Sequence, residues 1–250
     1  MFRKSLYLLG IIIITLFFSS YANAEVDAEV AYILNTFSFL VCGFLVMWMA
    51  AGFLFLESGL VTTRSVSTIA AKNIGKFAIV SIVFYLFGYN LGYGVPEGGY
   101  LGFPSLWTDN TSIETGYSDA SDWFFQALFV CATVSIVSGA VAERIKIWPF
   151  FVFAAILGGF IYPIQMGWEW GGGWLDAIGF SDFAGSTLVH ACGGSAALAG
   201  VILLGPRLGR FTESGEPANM APFAPSSIPL VTLGTFILWM GWYGFNGGSQ

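Results

Sequence analysis

Charged side chains are scarce in this 250-residue chain. Aspartate, glutamate, lysine and arginine make up 10% of the residues, hydrophobic residues make up 56%, and the mean hydropathy is +0.75. One soluble core cannot bury that much apolar surface. The composition therefore excludes a soluble globular protein and places the chain in a lipid bilayer.

Cysteine and histidine are also scarce, with three and one residues respectively. Cys42, Cys131 and Cys192 lie in apolar stretches, and an odd number of membrane-buried thiols without metal-ligand spacing argues against a disulfide framework and a zinc site. The formal net charge is -6, and the chain has no basic patch of the kind that binds phosphate backbones. We expect no cofactor, no metal and no nucleic-acid partner.

Long uncharged stretches are abundant. About 20 helical residues cross the roughly 30 Å of hydrocarbon in a bilayer, and six stretches are long enough: 30–56, 77–96, 123–142, 147–168, 183–206 and 217–250. The last is expected to be helical only over 228–245, because prolines precede it. The predicted fold class is an all-α membrane protein, a polytopic helix bundle with six spans.

A seventh apolar run lies at the amino terminus. Arg3 and Lys4 precede it, and the small residues Ala22 and Ala24 follow it. This pattern predicts a cleavable signal peptide over residues 1–24, with an uncleaved first helix as the alternative. Cleavage leaves the new amino terminus on the outer side.

The basic residues support that topology. Beyond the signal region they fall only in the first, third and fifth connections: Arg64, Lys72, Lys76, Arg144, Lys146, Arg207 and Arg210. The second and fourth connections carry acids and no base. Because short cytoplasmic loops collect lysine and arginine, we predict a multi-pass protein of the cell (inner) membrane with its amino terminus outside.

Two ionisable residues stand in the stretch "DFAGSTLVHACGG", residues 182–194. His190 is expected to lie about two turns into the fifth span and to be neutral there, offering one lone pair and one N–H. Ionisable groups at membrane depth favour a functional role, although a structural hydrogen bond is the alternative. Asp182 can cap the helix, and its field can also stabilise a cation in the outer vestibule.

Aromatic residues form the second unusual group. Phe125 and Phe129 are four residues apart and share one face of the third span. The others lie at the outer end of the fourth span and in the sixth: Trp168, Trp170, Trp174, Trp242 and Phe245. An interfacial belt is the alternative explanation for most of them.

Five motifs in order, "FQALF", "SGAVAERIK", "WGGGW", "DFAGSTLVH" and "GWYGFNGGS", resemble the ammonium transporter, methylammonium permease and Rhesus family, and bacterial ammonium transporters most of all. The resemblance covers residues 32–250. It implies an eleven-span fold with two inverted halves, assembled as a homotrimer. Residues 25–250 then form the ammonium transporter transmembrane domain, with the first half and the first helix of the second. The end at "GWYGFNGGSQ" is expected to be a truncation.

The resemblance also implies roles for particular residues. Trp170, Phe129, Ser249 and Asp182 correspond to the external ammonium site, and His190 to the first of two pore histidines. The second histidine has no counterpart in this chain. The gate and its lining correspond to Phe125, Phe129, Gln126, Trp242 and Phe245. Leu128 departs from the family pattern, because a small residue is expected between the two phenylalanines.

The implied activity is transport of ammonium, which is recruited outside, deprotonated and conducted as ammonia, with or without the proton. The implied partners are ammonium, ammonia and methylammonium as substrates, the lipid bilayer, further copies of the chain, and a cytoplasmic regulatory protein. An ammonium sensor with a signalling domain beyond Gln250 is the alternative. A membrane enzyme is disfavoured, because no set of nucleophile, base and oxyanion donors is present.

Overall fold

The computed structural model describes residues 26–218 and 223–250. The signal peptide expected over residues 1–24 lies outside them. Six helices in the described ranges are long and apolar enough to cross a membrane. Apart from one isolated bridge between Phe211 and Pro217, the regular structure of these ranges is helical, which confirms the predicted all-α polytopic bundle.

The six spans are α1 (Ala28–Leu60), α2 (Thr63–Tyr93), α3 (Asp119–Ala140), α4 (Ile147–Gly167), α5 (Ser186–Leu204) and α6 (Ile228–Ser249). Single helical turns lie at Ile113–Thr115 and Trp174–Ala177 in the second and fourth connections. Helix α6 begins where predicted, because the Ser227 hydroxyl accepts the Leu230 N–H and the proline follows in the first turn, where its missing N–H costs nothing.

The predicted start of the second span, at residue 77, is wrong. Helix α2 begins at Thr63, so Lys72 and Lys76 lie inside the helix and are only 4% and 2% exposed. Both ammonium groups pair with Glu57 of α1, at 3.2 and 3.4 Å. The apolar stretch alone placed these lysines in a loop, whereas a carboxylate on the neighbouring helix lets them enter the bundle.

Helix α3 lies at the centre of the bundle. Of the residues in its apolar stretch, 67% are buried, whereas 22–39% are buried in the other five spans. Helix α3 contacts α1, α2 and α5. Helices α1 and α6 cross closely, because a Cβ atom on Gly234 would lie only 2.5 Å from the Leu56 backbone nitrogen. Small residues thus allow the close backbone approach that membrane helices use for packing.

Three spans contain a π-helical turn: Phe84–Gly88 in α2, Leu157–Ile161 in α4 and Ser186–Ala191 in α5. The turn in α4 contains the Gly158–Gly159 pair. Helix α5 starts directly with its π-helical turn, which contains His190. Such turns widen a helix locally and are frequent at functional sites.

Candidate functional site

Asp182 caps the start of α5 with unusual completeness. Its Oδ1 accepts the backbone N–H groups of Gly185 and Ser186, both at 2.9 Å. Its Oδ2 accepts those of Thr187 and Leu188, at 2.7 and 2.8 Å. Gly185 allows this turn, because its φ of +89° lies in the left-handed region that favours glycine. Four donors therefore fix one carboxylate at the start of α5.

These hydrogen bonds keep Asp182 ionised. Burial raises the pKa of this carboxyl, but the backbone N–H groups of Leu188, Thr187 and Gly185 outweigh burial, so that the pKa lies below its ordinary value of 3.8. The positive end of a helix also favours a carboxylate. Asp182 thus places a fixed negative charge at the amino-terminal end of α5.

The backbone of Asp182 is held from two sides by neighbouring residues. Its N–H donates to Glu169 Oε1 at 2.9 Å, and its carbonyl accepts the indole N–H of Trp170 at 2.7 Å. In the sequence Glu169 is recognisable only as an acid of the fourth connection. Its place beside Trp170 in "WEWGGGW" was the one available signal, since nothing local shows that residue 182 folds back onto it.

Glu169 differs from Asp182 in its electrostatics. Burial raises the pKa of the Glu169 carboxyl above its ordinary value of 4.5; the hydrogen bond from the Asp182 N–H lowers it, and the charges of Asp182 and Asp176 raise it further. Two neighbouring carboxyl groups therefore have pKa values shifted in opposite directions.

Aromatic rings form a continuous column, which we define as Trp170, Phe129, Phe245, His190 and Trp242. The ring centroids of Trp170 and Phe129 are 5.8 Å apart. Phe129 and Phe245 stack at 4.1 Å with an interplanar angle of 20°, and both are buried. The column thus joins the turn after α4 to α3, α6 and α5, and its tightest point is the phenylalanine stack.

His190 lies on the far side of that stack from Trp170. Its ring is 5.8 Å from the Phe245 centroid and stacks on Trp242 at 5.4 Å. The Nδ1 atom is 3.1 Å from the Gly185 carbonyl oxygen. Because a carbonyl only accepts, Nδ1 carries the hydrogen in this arrangement, and a neutral ring keeps its lone pair on Nε2.

Phe125 and Ser249 flank the column. The ring centroid of Phe125 lies 4.6 Å from that of Phe129. Phe39 of α1 stacks on Phe125 at 5.3 Å, and no motif in the sequence points to Phe39. The Ser249 hydroxyl donates to the Phe245 carbonyl at 2.7 Å. The end of α6 packs on Phe125, since a Cβ atom on Gly248 would lie 2.4 Å from that ring.

Two other residues point elsewhere. The Gln126 amide donates to Asp122 at 3.4 Å rather than to a residue of the column, and its Oε1 is buried without a hydrogen bond in the described part of the chain. Leu128 lines a small cavity together with Val46 and Met49 of α1. The bulk of Leu128 is therefore accommodated against α1, and the Phe129–Phe245 stack forms beside it.

A second polar group, which we call the buried charge cluster, consists of Glu57, Lys72, Lys76 and Ser138. The Ser138 hydroxyl donates to Glu57 at 2.7 Å, and Lys72 donates to the Ser138 carbonyl at 2.8 Å. The sequence does not predict this cluster, because the predicted second span starts after Lys72 and Lys76 and leaves both lysines in a loop. The cluster links α1, α2 and α3 and places two lysines against one glutamate.

The six spans, the aromatic column and the ionisable residues inside the bundle define a polytopic, all-helical membrane protein of the transporter type. The model of the Ammonium Transporter Family matches residues 37–250, and the chain belongs to this family.

Relatives and solved structures agree. A relative from Synechocystis sp., whose name describes an ammonium transporter, is 42% identical over 256 residues, and the match covers 100% of this chain and 57% of the relative. Ammonium transporter Amt2 of Archaeoglobus fulgidus is 41% identical over 220 residues, covering 84% and 46%. The solved structure "Sensor Amt Protein" is 34% identical, with a TM-score of 0.77, and the match covers 86% of this chain and 54% of that one. The chain spans about half the length of these relatives, whose names describe transport or sensing rather than enzymes.

Proposed function

We propose that this chain forms the external recruitment site and the upper pore of an ammonium transporter. The observation that carries the proposal is the position of Phe129, which contacts Trp170 on its outer side and stacks on Phe245, beyond which His190 lies. Residues 25–250 then supply the first half of the transport domain and the first helix of its second half.

Charge decides where ammonium stops. A cation at the centre of a bilayer costs several kcal/mol, whereas each cation–π contact returns about 0.5–2 kcal/mol. Trp170, Phe129 and Ser249 hold ammonium at the mouth, where the fixed charge of Asp182 favours a cation. Because the rings of Phe129 and Phe245 lie 4.1 Å apart, no ion fits between them while they stack.

Loss of a proton solves this problem. Ammonium transfers one proton to water at the mouth, and neutral ammonia passes the phenylalanine rings when they move apart. Ammonia can then donate an N–H to the lone pair on Nε2 of His190. Potassium has no proton to lose, so the same path excludes it. Whether the released proton stays outside or crosses separately does not alter this selectivity.

The test is methylammonium uptake by cells that express the complete gene product. Trp170→Leu removes one cation–π contact and should raise the KM by a factor between about 2 and about 30. His190→Ala should lower the maximal rate and leave the KM nearly unchanged. Trp148→Phe, on the exposed face of α4, is the control and should transport normally. Equal permeation of potassium and ammonium through the wild-type protein would refute the proposal.

Sensing is the second candidate function, because one of the solved structures that match this chain is named "Sensor Amt Protein". Cells that express the complete gene product separate the two functions. A transporter supports growth on low ammonium, whereas a sensor alters signalling without supporting uptake.

The family resemblance also supports further proposals: a homotrimer in the inner membrane, a cleaved signal peptide, and a cytoplasmic regulatory partner. Crosslinking of the intact membrane tests the trimer, and the amino-terminal sequence of the mature protein tests the cleavage.

A further inference from the structure

Glu169 occupies a constrained position beside the external site. It follows the end of α4 at Gly167, and its backbone is fixed on both sides, since its N–H donates to the Met166 carbonyl and its carbonyl accepts the Gly172 N–H at 2.9 Å. The residue is only 8% exposed. Its side chain is therefore held in place rather than free in the external solvent.

The two oxygens of Glu169 have different surroundings. Oε1 accepts the Asp182 N–H at 2.9 Å. Oε2 is buried and has no hydrogen-bond partner in the described residues. A buried polar atom without a partner is costly in a structural residue, so a simple role as a hydrogen-bond acceptor does not account for a carboxyl group at this position.

The surroundings of Glu169 lack a neutralising cation. The titratable groups that face it are Asp182 and Asp176, both acidic. The salt bridges in the described part of the chain involve Glu57 and Glu143 instead. The four backbone donors of α5 all serve Asp182. An ionised Glu169 thus adds negative charge to this mouth that nothing in the described residues compensates.

Glu169 also acts on the wall of the site. Its Oε1 accepts the N–H of Asp182, and the indole N–H of the next residue, Trp170, donates to the carbonyl of Asp182 at 2.7 Å. The Trp170 ring in turn lies 5.8 Å from Phe129. The charge of Glu169 and the position of Trp170 are therefore coupled through one backbone segment.

We propose that Glu169 is a second acidic positioning residue of the external site, which strengthens cation recruitment when it is ionised and weakens it when external acid protonates it. This inference rests on the proposed function, since the recruited cation is ammonium. The raised pKa of Glu169 and the lowered pKa of Asp182 agree with this proposal. As the external pH falls towards 4.5, Glu169 is protonated before Asp182, which stays charged.

The experiment measures the KM and maximal rate of methylammonium uptake between external pH of about 7.5 and about 4.5. A glutamate whose pKa is raised above its ordinary value titrates within this range. The wild type should show a KM that rises about fivefold on acidification, the size expected for one partly screened charge near the site. Glu169→Gln keeps an oxygen for the Asp182 N–H but removes the charge, so its KM should be high and independent of pH.

Glu114→Gln is the matched control, because Glu114 is an exposed acid of the second connection and is not among the charges that raise the pKa of Glu169, and this variant should keep the pH dependence of the wild type. A wild-type KM that does not change with pH would overturn the inference without any variant. A Glu169→Gln variant that loses maximal rate but keeps the wild-type KM profile would overturn it as well, since that result indicates a merely structural role. Absence of any uptake by the wild type would instead refute the proposed function.

Discussion

Asp182→Asn tests whether the cap of α5 is as strong as its geometry indicates. In the wild type each carboxylate oxygen accepts two backbone N–H groups, from Gly185 and Ser186 on one side and from Thr187 and Leu188 on the other. An asparagine keeps one accepting oxygen and presents an NH₂ group to the other two donors. Two hydrogen bonds to a charged acceptor are therefore lost.

The size of the effect follows from those two bonds. A hydrogen bond to a charged group contributes about 1.5–3 kcal/mol net, so that Asp182→Asn should cost about 3–6 kcal/mol of unfolding free energy. An ordinary helix cap contributes only about 0.5–2 kcal/mol. The expected loss is larger because this residue is 6% exposed and water cannot easily replace the missing acceptor.

The assay is thermal unfolding of the complete gene product in detergent, with Asp176→Asn as the control. Asp176 is exposed, and its substitution should change the free energy of unfolding by less than about 0.5 kcal/mol. Asp182→Asn should lower the Tm clearly and should also weaken methylammonium recruitment. Equal Tm values for Asp182→Asn and the wild type would refute the capping argument.

Two further predictions concern charge. Glu57→Gln leaves Lys72 and Lys76 buried without an anion and should cost about 3–5 kcal/mol of stability by thermal unfolding, whereas Lys76→Met keeps the Lys72–Glu57 pair and should cost far less. The stability that ionised Asp182 contributes is fully present above pH 3.8, its ordinary pKa, and is lost as the pH falls through the lower pKa of the folded state. The Tm difference between the wild type and Asp182→Asn should therefore shrink only below that pH.

The sequence predicted the number of spans but not where α2 begins. A charged residue lowers the hydropathy of the stretch that contains it. A prediction from hydropathy therefore places Lys72 and Lys76 in the first connection and starts the second span after them. In the folded protein Glu57, which lies on the preceding helix, pairs with both at 3.2 and 3.4 Å. A pairing between helices leaves no periodic signal in one segment, which is why the helix start was misplaced.

The residues of the candidate site were named from motifs, whereas their contacts depend on backbone geometry that the motifs do not express. Counting helical residues from Asp182 places His190 about two turns into its span, whereas His190 lies in the π-helical turn at the start of α5. That turn brings its Nδ1 to the Gly185 carbonyl and leaves Nε2 free for a hydrogen bond. Glu169 was missed for the same reason, because only the fold returns Asp182 to it.

Helix α3 explains why composition alone cannot orient the site. Its first half carries Phe125 and Phe129, and its second half carries Ser138, which donates to Glu57 in the buried charge cluster. Buried residues occur on nearly every side of α3, so no amphipathic pattern fixes its rotation. The rotation is instead fixed by two specific contacts, the Phe129–Phe245 stack near the middle of the helix and the Ser138–Glu57 hydrogen bond near its end. Because one helix carries both contacts, Ser138→Ala, which removes the hydroxyl that donates to Glu57, should also disturb the Phe129–Phe245 stack, and methylammonium uptake should fall together with stability.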